Sequence, residues 1–490
     1  MTHYETMPAH GYYKEKYRPH LHFTPEQMWM NDPNGLVYFE GEYHLFYQYH
    51  PYSTQWGPMH WGHAVSRDLV TWEHLPVALH PDEQGMIFSG SAVVDHEDTT
   101  GFFDGGKGLV AVYTSADGDL QRQSIAYSKD RGRTWAKYDG NPVLENPGIA
   151  DFRDPKVFWH SSSSRWVMVL AAGKQVQLFT SENLKQWTFA SSFGEGWGEQ
   201  KGTWECPDLF PMINEKTGVE EWVLMIGIDA GGPCGGSGTQ YFTGVFDGSA
   251  FFPDQQQDEV KWLDFGKDFY AAQSFSDLRD RRVIIAWMSN WQYANDVPTY
   301  PWRSAMTLPR ELMLTKVSGK SVLKQMPVAD SIQSMDNSAP GSGVQLLPGS
   351  PHIQSQPDAP FVWKITLELQ ADSHVEGTVF HTGEGGYRFG VEKGRAYVVR
   401  DECVPAFSDH YAAVCTADIA GSLDEVTLTV VCDFSSVEMF VNTGEIGMTN
   451  LYFPQTGLSH LMKLESIKGY AAVKDMVIDQ RPSIWAENHS

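Results

Sequence analysis

Along most of this chain, apolar positions alternate with polar ones or gather in short β-branched and aromatic runs, each bounded by Gly, Pro, Asn or Asp. That pattern predicts strands and turns, and helical periodicity is hard to find. Five segments read as strand, polar turn, strand: LVYF-EGE-YHLFYQ from Leu36, AVVD through LVAVYTS from Ala92, KVFW-HSSSSR-WVMVLAA from Lys156, LFPM through EWVLMIGID from Leu209, and AAQSF-SDLRD-RRVIIAWMS from Ala271. Their starts step by 56, 64, 53 and 62 residues. A second echo, a Ser-led turn closed by Trp, recurs at Ser66–Trp72, Ser128–Trp135 and Ser181–Trp187. Multi-strand repeats of this length are blades of a β-propeller, so five units predict five blades. An irregular pair of β-sandwiches would leave the regular period to accident.

Near Val317 the pattern gives way to a stretch rich in Ser, Gly and Pro, which reads as a domain junction. After it, VWKITLELQA, TVFHT, YRFGVEKG, RAYVVR, VTLTVVCDF, SVEMFVN and AAVKDMVI are short alternating strands at close spacing, as in an antiparallel sandwich. The expected organisation is an all-β chain: a five-bladed propeller over residues 1–325, a linker over 326–350 and a C-terminal β-sandwich over 351–490.

Charge narrows the partners. The net charge is -25 and Lys and Arg form no cluster, which disfavours nucleic acid and anionic membranes and leaves a neutral substrate unhindered. No run of 18 apolar residues suggests a membrane span. Aromatic residues make up 13% of the chain, as expected both for well-filled sheets and for a sugar-gripping surface. The five cysteines, Cys206, Cys234, Cys403, Cys415 and Cys432, are odd in number and lack C-x-x-C spacing, so a reducing compartment is expected. No basic segment followed by an apolar core opens the chain, so a cytoplasmic protein is expected if Met1 is the natural start. Oligomeric state is not legible.

In a propeller the innermost strand of each blade lines the central channel, so equivalent positions of different blades meet there. Three units carry acids at such places: Asp32 in WMNDPNG, Asp154 in FRDPKV, and Glu205 with Asp208 in WECPDLF. One Asp-Pro alone is an ordinary turn. Three together, flanked by Arg153, Trp29 and Trp204, predict a polar pocket with aromatic walls. Glycoside hydrolysis needs two carboxyl groups, one ionised and one protonated, and crowding raises the pKa of at least one.

WMNDPNG, FRDPKV and WECPDLF resemble the three signature motifs of glycoside hydrolase family 32, the invertases, levanases and inulinases. YHLFYQYHP, MHWGHAVS, FSGSAVV, GSGTQYFTGVFDG, DFYAAQSF and SSVEMFVN extend the likeness over essentially the whole chain. The resemblance implies a five-bladed propeller with a β-sandwich and retaining, exo-acting hydrolysis of β-D-fructofuranosides such as sucrose, fructo-oligosaccharides, levan or inulin. The implied partner is that small-molecule or oligosaccharide substrate, and no metal or organic cofactor is implied. It also implies Asp32 as nucleophile, Glu205 as acid and base, and Asp154 as transition-state stabiliser; the residues alone do not separate the two aspartates. Asn31, Gln48, Trp56, Phe88, Ser89 and Arg153 match positions lining the fructose pocket, and Trp291 the leaving-group side. A fructosyltransferase using the same intermediate, a sucrose-6-phosphate hydrolase and a non-catalytic fructan-binding protein are the alternatives.

Three tempting features carry less. His60 and His63 in HWGH lack a third ligand for a metal and read as packing. GGPCGGSG from Gly231 lacks the Lys-Ser/Thr of a phosphate loop and reads as a turn. Cys206, beside Glu205, has no base indicated and reads as a buried residue tuning its neighbour.

Overall fold

The computed structural model describes residues 11–332, 343–370, 372–383, 385–401, 406–455 and 460–485. Part of the expected linker, residues 333–342, and residues 1–10 of the N-terminal segment read for a leader lie outside these, as does Cys403. Five sheets of four or five strands make the propeller, and two six-stranded sheets make the sandwich. Among the described residues no helix is long and apolar enough to cross a membrane.

Each blade begins with an inner strand that runs down the channel: Met28–Phe39, Met86–Asp95, Phe152–His160, Trp204–Ile213 and Tyr270–Ser274. The following strands pair outward as antiparallel meanders. Around the ring each inner strand packs against the next, and the fifth packs against the first. Two parallel pairings help close the circle, Trp302–Arg303 beside Met28–Trp29 and Val37 beside Ser276.

The Ser-led turn recurs in the first three blades, between their third and fourth strands. Ser66 Oγ accepts from Leu69 N at 2.8 Å, Ser128 Oγ from Gly132 N at 2.8 Å, and Ser181 Oγ from Asn183 N at 3.1 Å. Trp135 and Trp187 close the second and third turns by donating to the carbonyls of Gly132 and Leu184. A left-handed residue is required at each turn, and Leu69, Arg131 and Leu184 supply it. The hydroxyl and the indole offset a conformation that costs about 1–2 kcal/mol outside glycine.

The sandwich core is an apolar cluster from both sheets, Trp363, Phe389, Val430, Met439 and Met448 among it. Its edge strand Ile446–Leu451 does not face solvent. Phe265 N donates to the Gly447 carbonyl and Asp268 N to the Thr449 carbonyl, so a propeller loop caps the edge. Gly266 is needed there, because a Cβ would lie 2.2 Å from Thr449 backbone atoms. Buried charges join the domains around this contact. Arg310 bonds Asp264 at 2.9 Å and Glu438 at 3.1 Å, Arg400 bonds Asp268 at 2.6 Å, and His22 lies between Asp433 and Glu438.

The cysteine reading needs correction. Cys234, in the glycine-rich loop, is disulfide-bonded to Cys415 of the sandwich, 181 residues on, with Cα atoms 5.3 Å apart. No local spacing reveals such a pair, because the fold alone brings them together.

Candidate active site

All five inner strands carry a register shift near the same end. The irregularities fall between Met30 and Pro33, Ile87 and Gly90, Arg153 and Lys156, Glu205 and Asp208, and Tyr270 and Gln273. A bulge breaks the two-residue alternation and re-aims side chains, here at one level of the channel. Asp154, Cys206 and Ala271 adopt positive φ angles of 64°, 47° and 52° at these bulges.

The expected acids meet there. Cys206 Sγ lies 3.6 Å from Asp32 Oδ2 and 3.6 Å from Asp154 Oδ2, bringing the two aspartates together. Ser89 Oγ donates to Asp32 Oδ2 at 2.7 Å, while the buried Oδ1 has no partner. Asp154 Oδ2 accepts from Cys206 N at 3.0 Å, and its own amide donates to Thr114 Oγ1. Arg153 reaches Glu205 Oε1 through Nη2 at 2.6 Å and is itself braced by Asp151 at 2.5 Å.

Burial, with Glu205 nearby, pushes Asp32 up to about 6. Asp154 is pushed up to about 7 by burial, with Glu205 and Asp32 adding and Arg153 opposing. The expected crowding effect therefore falls on the two aspartates. Burial also raises the Cys206 thiol well above its ordinary range, so it stays protonated and is no nucleophile.

The other expected residues surround this centre. Asn31 accepts from Trp29 Nε1 at 2.8 Å, and Gln48 donates to the Ile87 carbonyl at 3.1 Å. Trp291 stacks on Trp29 with centroids 6.1 Å apart, and Phe88 belongs to the same apolar cluster. Trp56 lies edge-on to Phe88 at 6.2 Å and stays partly exposed at the rim. Two flanking residues do not join them. Trp204 is wholly buried against Phe193 of the third blade and Phe242 of its own, and Asp208, beyond the bulge, pairs with Lys156 at 3.0 Å. Strand alternation turns both away once the bulge is counted.

Tyr270 was not singled out by its sequence. Its hydroxyl donates to Glu205 Oε2, and burial beside that carboxylate raises its own pKa well above the usual value. The signal was its position within DFYAAQSF at the start of the fifth inner strand. His63, by contrast, lies buried 3.1 Å from His44 and stacked on Phe46. Among the described residues no group of three or more His, Cys, Asp or Glu side chains has the geometry to hold a metal.

Comparison with known proteins gives independent information. Models of the glycosyl hydrolases family 32 N-terminal domain and of the family 32 C terminal match residues 22–327 and 357–480. A levanase of Bacillus subtilis (strain 168) is 47% identical over 97% of this chain and 72% of its own length. An extracellular exo-inulinase of Aspergillus niger is 39% identical over 96% of this chain and 95% of its own. The crystal structure of exo-inulinase from Aspergillus awamori superposes with a TM-score of 0.90 at 37% identity, covering 96% of this chain and all of that one.

Proposed function

We infer the reaction from one premise: this chain belongs to glycosyl hydrolase family 32. It is an exo-acting β-fructosidase that hydrolyses terminal β-D-fructofuranosides of fructans and sucrose. The observation that carries the residue roles is the meeting of Asp32, Asp154 and Glu205 on bulged inner strands, with Arg153 and Tyr270 fixing Glu205.

Asp32 is the nucleophile. Ser89 donates to Oδ2 and orients the carboxylate that attacks the anomeric carbon. Glu205 gives its proton to the leaving oxygen as that bond breaks, leaving a fructosyl ester on Asp32. It then takes a proton from water, whose oxygen attacks the same carbon and frees Asp32, so configuration is retained. The Tyr270 hydroxyl can accept as well as donate, which keeps Glu205 in place in both protonation states. Asp154 faces the fructose hydroxyls and stabilises charge at the ring. Phe88 and Trp291 supply apolar surface around the sugar, backed by the wholly buried Trp29.

Glu205→Ala tests the assignment. With sucrose, a poor leaving group needs the lost proton, and the rate should fall by about 10² to 10⁴ or more. Fructosyl fluoride needs little protonation and should react in the first step, after which the fructosyl-enzyme accumulates and azide restores turnover. Asp32→Ala should trap nothing. Equal loss on both substrates, with no intermediate and no azide rescue, would refute the role given to Glu205.

A further inference from the structure

A large cavity belongs to the opposite end of the propeller. It has a volume of about 720 Å³ and is formed by the far ends of the inner strands, including Phe158–His160 and Leu209–Pro211. Its lining runs from Lys156, two positions beyond Asp154, to His160, six positions beyond, so the cavity spans about 7 to 20 Å down the channel from the acids. The Lys156–Asp208 ion pair stands at its floor.

Two groups facing it are incompletely used. Asp208 is wholly buried, and its Oδ1 has no hydrogen-bond partner. Arg282 lies 4.6 Å over the Phe210 ring, and its Nη1 makes only long contacts, 3.4 Å to Ser274 Oγ and 3.5 Å to the Phe275 carbonyl. Asp208 acts on Arg282 electrostatically, yet among the described residues no carboxylate is in ion-pair reach of that guanidinium. Arg282 is thus an underused donor on the cavity wall, matched by the oxygen of a hydroxyl group, while the buried Asp208 below it keeps the local charge balanced. On the wall, Trp159 is 41% exposed although its ring is fixed edge-on to Trp166 at 5.2 Å. Trp166 is in turn anchored through Nε1 to Thr99 at 2.9 Å. A fixed, exposed indole beside a hydroxyl-matching guanidinium is the recognition chemistry of a sugar ring.

We propose that this cavity is a second saccharide site that holds a fructosyl unit of an oligosaccharide or fructan chain, away from the catalytic end. The choice of sugar rests on the β-fructosidase reading above. A polymer held there would stay near the enzyme between cleavages, which sucrose is too short to exploit.

The test uses the full chain carrying Glu205→Gln, titrated calorimetrically with nystose. Two sites per chain are expected, and one after Trp159→Ala is added. Ser162→Trp, on the exposed turn lining the mouth, should remove the same site without touching the floor. In the otherwise wild-type enzyme, either change should raise KM for levan by about fivefold, equivalent to about 1 kcal/mol, with kcat and KM for sucrose unchanged. A single site in the Glu205→Gln protein would overturn the proposal, as would two sites surviving both changes. Fructose release by the wild-type enzyme tests the β-fructosidase reading separately, because the site count needs no turnover.

Discussion

Ser89→Ala should move the acid limb of the pH–rate profile upward. Ser89 Oγ lies 2.7 Å from Asp32 Oδ2 and favours the ionised form against burial and Glu205, a balance that sets Asp32 near 6. Asn31 and the Cys206 thiol, which stands off at 3.6 Å, oppose burial in the same direction but less than Ser89 does. A hydrogen bond to a charged group is worth about 1.5–3 kcal/mol, and one pH unit about 1.4 kcal/mol. The Asp32 midpoint should therefore rise by about one to two units, to between about 7 and 8. Activity at pH 6 would drop from about half of its plateau to between about 1% and 9% of it. The assay is initial fructose release at sucrose concentrations well below KM, where kcat/KM reports the free enzyme. A uniform loss at every pH would mean that Ser89 serves only to bind substrate. A limb shifted toward acid would refute the electrostatic account.

Other outcomes follow from the domain contacts. His22 is fully buried, which by itself would lower its pKa, but Asp433 and Glu438 outweigh burial and raise it to about 9. Because the folded value exceeds the unfolded one, its stabilisation is complete below about pH 6.5 and is lost as pH rises through about 9, amounting to about 3 kcal/mol. Urea midpoints should fall over that window, and the part due to His22 should vanish in His22→Gln. Asp264→Ala removes one of the two carboxylates on Arg310 and the acceptor of both Thr449 donors, and should cost about 3–5 kcal/mol in denaturant unfolding. Cys234→Ser opens a 181-residue covalent loop and should cost up to about 5 kcal/mol of stability, read by the same unfolding curves.

The propeller was legible because its devices are local. The Ser-led turns and paired strands repeat within a few residues of each other, and the structure places them in successive blades. The acids were legible because the signature motifs fall where the inner strands bulge. The details around them were not, since a bulge shifts side-chain direction by one position without marking the sequence. Trp204 and Asp208 therefore looked like pocket residues and are not, while Tyr270 looked like an ordinary strand aromatic and holds Glu205. Cys234–Cys415 and the Asp264–Arg310–Glu438 contact depend on where the sandwich docks, which no periodicity encodes.

The Cys234–Cys415 bond also changes what a protease can do to this molecule. It closes a covalent ring that runs through the fifth blade, the connection between domains and the first half of the sandwich. A single backbone cut anywhere inside that ring yields two polypeptides that remain one molecule, held by sulfur as well as by the buried ion pairs. Nicked protein should therefore migrate as an intact chain on a non-reducing gel and separate into fragments only after thiol treatment. Sulfur keeps the two domains of a nicked molecule at full local concentration, where re-docking stays intramolecular.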